Sequence, residues 1–191
     1  PISNKLMVNN IINIEDNINI LVSMGAYDSL GITLNIIKAI DKLSEKIESN
    51  IKTTIVLANG SPILEEINLL IKNKINFKLL VNVKDMSKIY NNSTIAIGAP
   101  GLSHLERLYI GLPTILIAQN KIHELLLEKW LNLGCAIVAT NNVQIIAKKI
   151  LYIINNKKVR NKLMVNGREQ VDGKGSIRIA KSILMFNSSY D

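Results

Sequence analysis

The sequence predicts a doubly wound α/β domain, a Rossmann-like parallel sheet of about six strands with helices on both faces. Two patterns predict it. Short apolar segments alternate along the chain with segments whose apolar residues recur at helical spacing. The short segments are continuously apolar rather than alternating, as strands buried on both faces are. With 191 residues, 48% of them hydrophobic and 20% charged, the chain suits a single full core and not disorder.

The elements follow in order. Residues 1–18 are Asn-rich and weakly patterned and read as a connector or edge segment. Asn19 to Met24 is an apolar strand closed by Gly25, and Leu34, Ile37, Ile40, Leu43 and Ile47 mark a helix. Thr53 to Leu57 is β-branched, Asn59-Gly60-Ser61-Pro62 punctuates it, and Ile63 to Ile71 is helical. Phe77 to Val81 is a third strand, followed by a short helix over 85–90. Thr94 to Gly98 is the fourth strand, Leu102 to Ile110 its helix, and Thr114 to Ile117 the fifth strand. A helix over Ile122 to Leu133, a sixth strand over Ala136 to Ala139 and a helix over Val143 to Ile154 complete a domain predicted to span 19–156. Residues 157–191 read as two C-terminal helices packing on it, joined by Gln170 to Ser176, with Ser176 a candidate N-cap.

Composition removes several function classes. No apolar run approaches the roughly 20 residues of a membrane span, and neither a transmembrane helix nor a signal peptide is predicted from these residues. Cys135 is the single cysteine, which excludes an internal disulfide and a Cys-rich metal site and fits a reduced, cytoplasmic setting with a buried thiol. The net charge of +8 comes mostly from scattered Lys, arginine stands only at 107, 160, 168 and 178, and aromatic content is 4%, so no nucleic-acid face is predicted. The chain starts at Pro1 and not at Met, which suggests a processed product or a piece of a longer protein.

Open parallel sheets bind ligands beyond the carboxyl ends of their strands. Two such loops carry suitable residues: Gly25-Ala26-Tyr27-Asp28-Ser29-Leu30-Gly31 and Gly98-Ala99-Pro100-Gly101-Leu102-Ser103. Glycine lets backbone N–H groups approach an anion, a helix N-terminus adds partial positive charge, and a Ser hydroxyl donates to phosphate. Glu106, one turn into the helix, suits the two hydroxyls of a ribose. The plainer alternative is that these glycines only turn the chain and that Glu106 favours the helix dipole. His104 reads as partly exposed and without catalytic duty, His123 beside Glu124 is no acid/base pair because adjacent helix residues diverge by about 100°, and Trp130 with Leu126, Leu127 and Leu133 is core. No Ser-His-Asp set, metal triad or cofactor motif can be assembled.

Five pieces together resemble the C-terminal half of the UDP-sugar hydrolases of pseudaminic acid biosynthesis and the related spore-coat polysaccharide biosynthesis proteins. They are Ile20 to Asp28, Ile97 to Ser103, Glu106-Arg107 with Leu108 to Pro113, Asn120, and Val171-Asp172-Gly173-Lys174-Gly175-Ser176-Ile177-Arg178. The resemblance implies half of a GT-B-type two-domain architecture and a UDP or UDP-sugar ligand with no cofactor. It carries over a UDP-binding set of Gly25, Asp28, Gly98, Gly101, Leu102, Ser103, Glu106 and Asn120: Gly25 and Asp28 line the first loop, Gly101 and Ser103 meet the diphosphate, and Glu106 holds the ribose. The implied reaction is hydrolysis between the anomeric carbon and the diphosphate, with catalysis by a His of an N-terminal domain that this sequence does not contain. Ala26 and Lys121 depart from the family's Gly and Gln, so the chain alone is expected to bind nucleotide weakly and not to turn it over. The nucleotide half of a GT-B glycosyltransferase, and a non-catalytic domain attached to a nonulosonate cytidylyltransferase, are the competing readings.

Overall fold

The computed structural model describes Leu6 and residues 17–45 and 50–187. Six parallel strands form one sheet in the order β3-β2-β1-β4-β5-β6: β1 (Asn17–Ser23), β2 (Asn50–Leu57), β3 (Phe77–Val81), β4 (Ile95–Gly98), β5 (Thr114–Leu116) and β6 (Ile137–Val138). Between and after them lie α1 (Ile32–Ser44), α2 (Leu64–Ile71), α3 (Ser87–Asn91), α4 (Leu102–Ile110), α5 (Lys121–Asn132), α6 (Val143–Asn155), α7 (Lys157–Gln170) and α8 (Gly175–Asn187). The predicted architecture and its six strands are present, and the strand order is that of a doubly wound sheet.

Alternate strand residues feed two layers. Ile18, Ile20, Val22, Ile55, Ile95, Ile97 and Ile115 pack against Ile36, Ile37 and Ile40 of α1, Ile67 of α2 and Ile146 and Ile150 of α6. On the other face Leu21 and Ala96 meet Leu6, Tyr90 of α3 and Ile110 of α4. Leu116 on that face meets Leu108 of α4 and Leu127 and Trp130 of α5. Burial on both faces holds throughout β4 and β5. It fails at the β2–β3 flank, where Lys52 and Lys78 are exposed, because α3 has only five residues with which to cover it.

Differences from the predicted elements are local. β1 and β2 begin earlier than expected, at Asn17 and Asn50, because Asn17 and Asn50 pair in register and their side chains hydrogen-bond at 3.2 Å. The proposed helix position Ile47 and most of the 1–18 connector lie outside the described residues. α8 starts at Gly175, one residue before the N-cap candidate Ser176. Asp172 organises that entry instead, accepting from Lys174 N at 2.9 Å and from Arg178 Nη1 at 2.5 Å. α7 returns to α4, where Gly167 allows close contact with Leu108 and Arg168 donates to Ile110 O at 3.1 Å.

Candidate functional site

The strand order reverses direction between β1 and β4, which leaves a crevice at their carboxyl ends. Ser23 and Gly98 are register partners there, so the two glycine loops singled out in the sequence leave the sheet side by side. A third loop joins them from β5. Gln119 Nε2 donates to Met24 O at 2.5 Å and to Asp28 Oδ1 at 3.4 Å. The β1 loop is also tied outward to the loop after β2, through Ser61 Oγ on Tyr27 O at 2.6 Å and Ala58 N on Ala26 O at 2.8 Å.

The two helices that follow these loops differ at their N-termini. Asp28 is buried, in the left-handed region at φ 41°, and its carboxylate accepts from Ile32 N at 3.2 Å and Thr33 N at 2.7 Å. The first-turn amides of α1 are therefore already satisfied by a carboxylate. Among the described residues no side chain caps α4, whose N-cap Gly101 is extended at φ −81°, ψ −161°. A Cβ on Gly101 would meet nothing within 4 Å, and Leu102 beside it is 84% exposed. His104 N already donates to Gly101 O at 2.9 Å, so of the two helix starts α4 is the one that faces open space with the Leu102 and Ser103 amides left for an anion.

Ser103 and Glu106 lie three residues apart on α4 and so share a face. Both line a cleft of about 690 Å³ between α4 and the segment 170–179. Glu106 also borders a second recess, about 300 Å³, walled by Lys84 to Ser87, Tyr90 and Leu6. Burial pushes the Tyr90 phenol up to about 12, against the nearby Arg107 charge and together with Glu106.

The remaining predicted positions take other places. Gly98 is buried, and a Cβ there would come within 2.2 Å of Arg107 Nη1 and 2.6 Å of Ser23 O, so it serves packing beneath the crevice rather than its surface. Gly25, at φ +103°, does face open space. Asn120 caps α5, its Oδ1 accepting from His123 N at 2.9 Å. His104 is fully buried, not partly exposed: its ring meets Trp130 edge-on at 5.3 Å, and burial together with Arg107 lowers its pKa to about 2. Leu133 is 38% exposed and stands outside the core placed around Trp130. Cys135 is a buried free thiol whose pKa burial raises, as an inert core residue's should be.

Sequence reading missed two residues, Gln119 and Arg107. Gln119 gave no signal beyond its place at a strand exit. Arg107 is the largest fully buried side chain among the described residues, and its Nη2 donates to Ala99 O at 2.6 Å. Its hints were the Glu106-Arg107 pair among the pieces of the resemblance and a charged residue one turn before the apolar Ile110.

The sequence pattern of the glycosyl transferases group 1 family matches residues 8–170. The chain is 26% identical over 165 residues to the spore coat polysaccharide biosynthesis protein SpsG of Bacillus subtilis, covering 84% of this chain and 48% of that protein. The S. aureus MnaA-UDP co-structure superposes with a TM-score of 0.75 at 16% identity, over 92% of this chain and 47% of that one. UDP-GlcNAc 2-epimerase from Neisseria meningitidis bound to UDP-GlcNAc gives 0.72 at 17% identity, over 88% and 45%. Acinetobacter baumannii MurG gives 0.70 at 15% identity, over 91% and 51%. The chain thus spans about half the length of these relatives, and its fold is that of one Rossmann-like half of the GT-B architecture.

Proposed function

Because the chain belongs to the glycosyl transferases group 1 family, we propose that it is the UDP-sugar-binding half of an enzyme of bacterial surface polysaccharide or nonulosonic acid biosynthesis. The observation that carries this is the uncapped N-terminus of α4 at the crevice between β1 and β4, with Ser103 and Glu106 on one face behind it. The diphosphate sits on the amides after Gly101, with Ser103 donating to a phosphate oxygen and Glu106 accepting from the ribose hydroxyls. The 300 Å³ recess beyond Glu106 takes the base. Gly25, Asp28 and Asn120 frame the opposite rim, Asp28 and Asn120 by capping the helices that border it.

The reaction we assign to the parent protein is hydrolysis between the anomeric carbon and the diphosphate, in line with the motifs that resemble the UDP-sugar hydrolases. Transfer of the sugar to an acceptor hydroxyl is the second reading, and the family match favours it. Either reaction uses this half to hold the leaving nucleotide. The acceptor, water or a sugar hydroxyl, is oriented by the other half of the two-domain architecture, the part of the relatives' length that this chain does not match. The setting is cytoplasmic, in line with the reduced Cys135; no helix among the described residues is long and apolar enough to cross a membrane.

Isothermal titration of the 191-residue chain with UDP tests the binding role. Weak, saturable binding that Ser103→Ala and Glu106→Gln each reduce is expected, with no UDP released from a UDP-sugar. Absence of binding at millimolar UDP overturns the assignment. In a two-domain parent, free sugar formed without an acceptor identifies the hydrolase, and product formed only with an acceptor identifies the transferase.

A further inference from the structure

Three of the four arginines are buried or partly buried inside the fold, and two of those have an ordinary explanation. Arg160 donates through Nη1 to Ile153 O at 2.8 Å and to Ile154 O, at the C-terminus of α6. Arg168 donates to Ile110 O at the C-terminus of α4. Both place a cation at the negative end of a helix dipole, where it is stabilising.

Arg107 does the reverse. Its Cα lies in the second half of α4, but helical side chains lean toward the N-terminus, and the guanidinium reaches the carbonyl of Ala99 ahead of its own helix. There it lies at the positive end of the dipole, wedged against Gly98 and the Ser23 carbonyl. Among the described residues its Nε and Nη1 have no hydrogen-bond partner, and the residue is 0% exposed. Neither of the two ion pairs found among the described residues involves it. Glu106 and Tyr90 favour its charge only through space, with no hydrogen bond or ion pair to it; a buried cation held so incompletely at a helix N-terminus costs several kcal/mol, and a fold retains such a group only where something further offsets it.

Resting on the nucleotide reading above, we infer that Arg107 is a positioning residue for the diphosphate: a buried cation beneath the Ala99 to Gly101 turn that holds the turn's shape and acquires its counter-charge when the ligand docks on α4. Gly98 belongs to the same device, because no residue with a Cβ leaves room for the guanidinium. The amides of α4 supply hydrogen bonds to the ligand from above, and Arg107 supplies field from below in a medium that screens it little.

The test compares ligands of different charge on the 191-residue chain and on Arg107→Met and Arg107→Lys variants. Titrations use uridine, UMP and UDP, and thermal melts are run with and without inorganic pyrophosphate. The wild-type chain is expected to bind in the order UDP over UMP over uridine and to melt higher with pyrophosphate. Arg107→Met should weaken UDP by about tenfold or more, leave uridine nearly unchanged and remove the pyrophosphate effect, while melting without ligand at or above wild type, since the buried charge is gone. Arg107→Lys, which keeps the charge and loses the fork, should fall between. Equal losses for uridine and UDP, or a melting temperature that drops with the ligand order preserved, show a purely structural arginine and overturn the inference. If Arg107→Met does not fold, the Arg107→Lys ratio of UDP to uridine and the wild-type pyrophosphate shift decide the question in the same way. Failure of the wild-type chain to bind UDP at all sinks the nucleotide reading instead.

Discussion

Gly98 and Gly101 stand three residues apart in one turn, and their surroundings give them opposite duties. A methyl group on Gly98 would meet the backbone carbonyl of Ser23 and a guanidinium that has nowhere to retreat. Gly98→Ala should therefore destabilise the fold by about 3 kcal/mol, the upper range of overpacking, read as a shift in the urea midpoint. Gly101 has open space above it and a φ of −81° that any residue adopts. Gly101→Ala should leave the midpoint unchanged and weaken UDP, because its methyl projects where the phosphate approaches. If both variants unfold at the same urea concentration, the division between packing and binding glycines is wrong. The sequence marks both positions as glycine and cannot say which role each has, since that depends on an arginine nine residues beyond Gly98 folding back beneath it.

At the scale of elements, the two strand-to-helix turns looked equivalent in sequence, and what separates them is one hydrogen-bonding group. Asp28 closes the α1 turn onto itself. Asp28→Ala should cost about 2 kcal/mol of stability by orphaning two buried amides. Asp28→Asn, which tolerates φ > 0 and keeps one acceptor, should cost less than half of that; denaturant titration of both variants checks the order. An equal loss in the two would mean that the charge and not the cap matters. Most of the element order was legible because it rests on local patterns: the apolar runs of β3 and α4 fall at Phe77–Val81 and Leu102–Ile110 as read. The crevice was legible too, since Gly-rich strand exits mark where chains turn. What could not be read was side-chain commitment across the sheet. The links from Gln119 to Met24 and Asp28, and from Arg107 back to Ala99, join residues whose proximity only the strand order creates. For the same reason His104, polar and next to a glycine turn, looked exposed, whereas the packing of α5 on α4 buries it against Trp130.

For the molecule as a whole, the buried polar groups His104 and Tyr90 each make stability depend on pH, one on the acid side and one on the alkaline side. His104 has both ring nitrogens buried without partners among the described residues, and burial with Arg107 beside it holds the imidazole neutral to about pH 2. The unfolded chain takes up that proton near pH 6.5. Below pH 6.5 the unfolded state binds more protons than the native one, so stability falls with decreasing pH by about 1.4 kcal/mol per unit from this group. Tyr90 limits the other side: its phenol is raised to about 12, so above pH 10 the unfolded state ionises first and stability falls again. The plateau of stability should accordingly lie between about pH 6.5 and 10. His104→Leu removes the acid-side group together with two unsatisfied nitrogens while keeping an apolar body against Trp130. Urea midpoints of wild type and this variant at about pH 7.5 and about pH 5 should show a steep loss in the first and a shallow one in the second. Parallel losses in the two proteins would mean that carboxylates elsewhere, and not the buried imidazole, set the acid limit.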